Sequence, residues 1–148
     1  MTQRILIASR NAKKLAELRA ICQSLPIEIL GPEALSDGLP EVDEDQPDFA
    51  GNAKKKALSA AQAAQELGAD VWALADDSGL CVDALQGRPG VHSARYAGID
   101  DETRDHANNQ KLLNELHGLA REKRRAQFQC VIAIAHQDQI LFHVHGTA

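Results

Sequence analysis

Two adjacent carboxylates, Asp76 and Asp77, followed by the hydroxyl of Ser78 and by Gly79, come directly off the apolar segment Val71-Trp72-Ala73-Leu74. A carboxylate beside a buried strand is unfavourable unless a partner compensates its charge, and a divalent cation or a reacting water is the usual compensator. The pattern describes a strand that delivers acids to a site at its end, with Gly79 free to turn the chain just beyond them. The same residues could equally form an ordinary polar turn.

A second chemical group lies near the N-terminus. Arg4-Ile5-Leu6-Ile7-Ala8 reads as a short buried strand, and Ser9-Arg10-Asn11-Ala12-Lys13-Lys14 leads into a helical pattern with apolar residues at Leu15, Leu18, Ile21, Cys22 and Leu25. Free backbone N–H groups at a helix start attract anions, and Ser9, Asn11 and Lys14 add a hydroxyl, an amide and a cation, so a phosphate fits there. The competing assignment is a plain cap, with Ser9 or Asn11 closing the helix start and the lysines in water.

The elements that must position these groups follow from local patterns. Ile27 to Leu30 reads as a second strand, followed by an acidic stretch with Asp37, Glu41, Asp43, Glu44, Asp45 and Asp48, in which Pro40 and Pro47 stop regular structure. The Ala- and Lys-rich segment from Phe49 to Leu67 is strongly helix-forming, with Gly68 as its stop. Gly87 to Gly98 is a glycine-punctuated loop of the kind that carries function. A helix from Asp101 to Leu116 is expected to bury Ala107, Leu112, Leu113 and Leu116. Alternation then predicts two strands, one with Phe128, Cys130, Ile132 and Ile134 on one face and one with Ile140, Phe142 and Val144 on one face, joined by a turn at Gln137-Asp138, with the strand near Phe142 and Val144 expected to be left exposed as an open sheet edge. This order gives an α/β fold with a mixed central sheet flanked by helices.

Composition sets the outer bounds. A chain of 148 residues with 44% hydrophobic and 25% charged residues suits one domain with its own core. No apolar run approaches a membrane span and no signal-peptide pattern opens the chain, so no membrane association and a cytoplasmic location are expected. The net charge of -5 argues against stable, non-specific nucleic-acid binding, and the run Arg121 to Arg125 reads as a solvated connection before a strand. Cys22, Cys81 and Cys130 sit far apart in apolar patterns, as reduced core thiols do. His143 and His145 share a strand face, a weak metal signature.

Set in order, the motifs resemble the inosine triphosphate pyrophosphatase family. They are Ser9-x-Asn11-x-x-Lys14, then Glu44 with Phe49-x-x-Asn52-Ala53-x-x-Lys56-Ala57, then Ala75-Asp76-Asp77-Ser78-Gly79-Leu80, and Gly87-x-Pro89-Gly90-x-x-Ser93-Ala94-Arg95-Tyr96-Ala97-Gly98. The resemblance implies a two-lobed α/β fold with an active-site cleft. It also implies a homodimer and hydrolysis of inosine, deoxyinosine and xanthosine triphosphates to nucleoside monophosphate and pyrophosphate with Mg2+. On this resemblance Ser9, Arg10, Asn11, Lys14 and Lys56 grip the triphosphate, Ser78 contacts substrate, Glu44, Asp76 and Asp77 hold the metal, and Asp77 accepts the proton of the attacking water. Magnesium favours carboxylate oxygens together with phosphates, and lysines balance the charge that phosphoryl transfer spreads over oxygen. Asn52 supports the site, caps its helix, or acts on the site through a neighbouring residue.

Two departures from the family pattern stand out. Ser9-Arg10 replaces a Thr-Gly pair, making Arg10 either an extra phosphate ligand or a surface residue. Family members also continue beyond the His145-Gly146 strand into a Phe-Gly-Tyr-Asp-Pro motif, a lysine and a Ser-His-Arg motif that recognise the base, none of which is present here. The chain is therefore read as one pyrophosphatase domain over residues 1–148 that is incomplete at its C-terminus, either a fragment or a shortened relative. Two other functions fit the same residues: an inactive phosphate- or metal-binding relative, or a magnesium-dependent nucleotide hydrolase of broader specificity.

Overall fold

In a computed structural model that describes residues 1–148, the elements are β1 (Gln3–Ile7), α1 (Ala12–Cys22), β2 (Ile27–Leu30), α2 (Phe49–Ala64), β3 (Trp72–Val82), α3 (Arg104–Glu115), β4 (Ala126–His136) and β5 (Gln139–Thr147). The strands form one sheet in the order β2-β1-β3-β4-β5. β1 runs parallel to both its neighbours, with Ile5 opposite Ile29 on one side and Trp72 on the other. Parallel neighbours need a crossover, and α1 supplies the one between β1 and β2. β4 and β5 are joined by only two residues, Gln137 and Asp138, with Gln137 in the left-handed region at φ 57°. So short a connection makes an antiparallel hairpin. The sheet is mixed, as the strand and helix order predicts.

Two compact units are distinguishable, residues 1–77 with 131–144 and residues 78–130 with 145–148. In the first, Ile5, Ile7 and Leu15 are buried together, with Leu18, Ile27, Ile29, Trp72 and Leu74 packed against them. Each such aliphatic side chain contributes about 1.5–3 kcal/mol on burial. Strand alternation puts Ile5 and Ile7 toward α1, while Leu6, Ala73 and Ala75, all buried, face the other way. On that second face α2 presents Ala53, Ala57, Ala60, Ala61 and Ala64, all almost fully covered. Methyl-sized side chains let a helix lie close to a sheet. The second unit has its own cluster of Val82, Leu85 and Leu116, with Leu80, Leu112 and Leu119 around it.

Four expectations need correcting. β3 does not stop after the acids: it runs on to Val82, and Gly79 is a buried strand residue rather than a turn. The alternation of the strand accommodates this, because Ala73, Ala75, Asp77 and Gly79 fall on one face and Asp76 and Ser78 on the other. α1 ends at Cys22, leaving Ile21 and Leu25 71% and 50% exposed. α3 starts at Arg104 and buries none of its residues fully; Leu113 is exposed, and the packing runs through Leu112 and Leu116, one turn apart. In β4 burial is not confined to one face: the deeply buried residues are Val131, Ala133, Ile134 and Ala135, while Phe128 is exposed. In β5 Phe142 and Val144 are exposed, as expected of an open sheet edge. The turn at Gln137-Asp138 and the exposed connection at residues 121–125 lie where they were expected.

Candidate active site

Asp77 is set by β3 on the sheet face that α2 covers. Its carboxylate is almost buried and accepts a hydrogen bond at Oδ2 from Asn52 Nδ2 at 3.2 Å. Its Oδ1 lies 4.0 Å from Lys56 Nζ, and the same ammonium is 3.0 Å from Glu44 Oε1. Burial raises the carboxyl above its ordinary value of 3.8, the Asn52 hydrogen bond and Lys56 oppose that rise, and the negative charges of Glu44 and Asp76 add to it. A carboxylate that holds its proton more tightly than usual is a better proton acceptor for water.

Asp76 sits on the opposite face of β3, and its partner comes from the opposite helix. Lys14 Nζ of α1 donates to both its oxygens, at 2.9 Å and 2.8 Å. The three acids expected to share a metal are therefore not one cluster, and no group of three acidic, His or Cys side chains is arranged to hold an ion. The physical cause is the two-residue period of a strand, which sends consecutive side chains to opposite faces. What the structure brings together is Glu44 with Asp77, around the Lys56 ammonium. An ammonium between two carboxylates marks a place whose donor set, oxygen only, suits a hard cation.

The acidic segment is held in place by several contacts. Lys55 Nζ donates to Asp45 Oδ1 at 2.8 Å, and the Gln46 backbone N–H donates to Asn52 Oδ1 at 3.0 Å. Asp48 caps α2 by accepting from the Gly51 N–H at 2.7 Å. Arg10, from the loop after β1, donates to the Leu39 carbonyl at 2.7 Å and reaches Glu41 at 3.4 Å. Arg10, Glu44, Lys56 and Ser59 line a cavity of about 230 Å³. The Lys55–Asp45 pair lies at the surface, with both side chains exposed.

At the start of α1, Asn11 Oδ1 accepts from the backbone N–H groups of Lys13 and Lys14 at 3.0 Å and 3.2 Å, and the Asn11 N–H donates to Ser9 Oγ at 3.1 Å. Asn11 is thus a cap, which occupies two of the N–H groups that a phosphate would use. Ser78 belongs to the second unit, where it is exposed and lines a cavity of about 530 Å³ together with Ser93, Tyr96, Asn108 and Phe128. In that unit the loop at residues 87–98 is tied to α3. Asn108 Nδ2 donates to the carbonyls of Ser93 and Ala94, its Oδ1 accepts from the Ala97 N–H, and Lys111 donates to the Tyr96 carbonyl. Ser93 Oγ in turn accepts from the Leu80 N–H of β3 at 2.9 Å.

Comparison with known proteins agrees with the motifs. A dITP/XTP pyrophosphatase from Geobacter sulfurreducens is 49% identical over 131 residues, covering 88% of this chain and 62% of that protein. One from an Anaeromyxobacter species is 42% identical, over 90% of this chain and 67% of its own length. The structure of a HAM1 protein from Coxiella burnetii superposes with a TM-score of 0.84 at 35% identity, covering 99% of this chain and 71% of that one. The Ham1 protein of Staphylococcus aureus gives 0.79 at 38% identity. The chain thus spans about two thirds of the length of the relatives it matches. With the Ham1 family pattern matched from residue 5 to residue 148, and with the mixed sheet and the acid-bearing third strand in place, the chain belongs to the Ham1 family.

Proposed function

We propose that this chain hydrolyses non-standard purine nucleoside triphosphates, of the dITP and XTP class named for its relatives, to nucleoside monophosphate and pyrophosphate. The observation that carries the reading is Asp77: a nearly buried carboxylate with one oxygen held by Asn52 and the other facing the Lys56–Glu44 pair. Asp77 Oδ1 takes a proton from a water as that water attacks the α-phosphorus. The bond from that phosphorus to the bridging oxygen of the β-phosphate breaks, and pyrophosphate leaves with the electron pair. Lys14 and Lys56 exchange their carboxylate partners for phosphate oxygens, with Ser9 and Asn11 in the loop that leads to Lys14 and Arg10 lining the cavity beside Lys56. Glu44 and Asp77 would hold a divalent cation, Mg2+ by its preference for oxygen, and Asp76 is assigned to the same metal on the family resemblance alone. Bound there, the cation supplies charge neutralisation for the phosphates. Ser78 is assigned to substrate contact, the enzyme to the cytoplasm and its assembly to a homodimer, all on the family resemblance.

The test is pyrophosphate release from dITP, XTP, ITP and ATP, with magnesium and with excess chelator. Turnover of the first three that stops in chelator supports the reading. Equal turnover of ATP points to a hydrolase of broader specificity, and no turnover of any of them points to a non-catalytic binder.

A further inference from the structure

Asn52 is only 1% exposed, in the first turn of α2. A polar side chain so buried is tolerated when both its ends are satisfied, and both are. Its Oδ1 accepts from the Gln46 N–H and its Nδ2 donates to Asp77 Oδ2. A backbone N–H can only donate and a carboxylate only accept, so a single orientation of the amide meets both demands. It is not needed as a helix cap, since Asp48 fills that role. Gln46 lies two residues past Glu44, so one buried amide ties the acidic segment to Asp77 through the interior. With Oδ2 engaged, Oδ1 is the Asp77 oxygen left to face Lys56 and, across its ammonium, Glu44.

We infer that Asn52 is a positioning residue: its amide holds Asp77 with Oδ1 turned toward the Lys56–Glu44 pair and keeps the Glu44 segment in register with it. The inference rests on the pyrophosphatase reading for what Asp77 does, and on the two hydrogen bonds for how Asp77 is held.

Two variants and one spectrum test it. Asn52→Asp keeps an acceptor for the Gln46 N–H but turns a carboxylate against Asp77, while Asn52→Ala removes both contacts. At a temperature where each variant is folded, kcat for dITP should fall by about 10²-fold in Asn52→Asp, with KM within about threefold of the parent. A folded Asn52→Asp with unchanged kcat, or one in which KM alone moves, would overturn the inference, because a purely structural role predicts lost stability without that split. The parent chain is assayed first, since an inactive parent counts against the pyrophosphatase reading and not against the placement of Asn52. In that case, or if neither variant folds, the decision passes to 15N NMR of the parent and of Asp77→Ala. Slowly exchanging Asn52 side-chain NH2 signals that shift on Asp77→Ala, with a protected Gln46 amide, uphold the positioning. Fast exchange at both groups, or no shift, overturns it.

Discussion

At the scale of single residues, Asp77 is the group on which the proposed chemistry depends, and its environment makes two separable statements. As proton acceptor it should be indispensable: Asp77→Asn is expected to lower turnover of dITP by at least about 10²-fold, with an unchanged far-UV circular dichroism spectrum. A rate close to the parent would place the base elsewhere. Burial also raises the Asp77 pKa above 3.8 in the folded chain, so the folded state holds this proton more tightly than the unfolded one. Stability from this group is then full below about pH 4 and is lost as the pH rises through the folded-state value. Asp77→Asn removes that loss. The melting temperature of the variant relative to the parent should climb from pH 4 toward pH 8, as followed by scanning calorimetry, and a difference independent of pH would contradict the desolvated placement of Asp77.

At the scale of elements, α1 and α2 each send one lysine to one acid of β3, from opposite faces of the sheet. If those lysines trade carboxylate for phosphate, Lys14→Ala and Lys56→Ala should each raise KM for dITP by about tenfold or more, the scale of a lost charge-assisted hydrogen bond. Lys13→Ala and Lys55→Ala should change it by less than about threefold, since Lys13 is exposed and Lys55 makes a surface pair with Asp45. Equal effects at all four positions would reduce the lysines to general charge. In the second unit, Asn108→Ala should cost about 1–3 kcal/mol by denaturant unfolding, because it unpairs three backbone groups of the loop at residues 87–98. How much of this was legible in the sequence follows from the elements themselves. β1, α2 and the β4–β5 turn were readable because local propensity and tertiary context agree there. β3 was misread at Gly79, where a glycine that usually marks a turn serves as a buried strand residue. β4 was misread because both faces are covered around Val131 to Ala135, which erases the two-residue period that singled out Phe128 and Cys130. The acids and lysines were visible as residues, but strand alternation, which separates Asp76 from Asp77, and the twofold engagement of Asn52 become evident only with the chain folded.

At the scale of the whole molecule, β5 is the last strand of the sheet and is exposed along almost its entire length, with Leu141, Phe142 and Val144 among the exposed apolar residues. An apolar sheet edge of this kind favours association. Light scattering at micromolar concentration should give a mass above that of one chain, and Phe142→Lys combined with Val144→Lys should return it toward the monomer. A parent that is strictly monomeric would show that the edge is inert. The reaction itself is best judged by its products. 31P NMR of dITP incubated with this chain and magnesium should show pyrophosphate and deoxyinosine monophosphate growing together, and neither should appear with Asp77→Asn. Orthophosphate with a nucleoside diphosphate, or equal product from the Asp77→Asn variant, would contradict the assignment of this site as a pyrophosphatase centre built on Asp77.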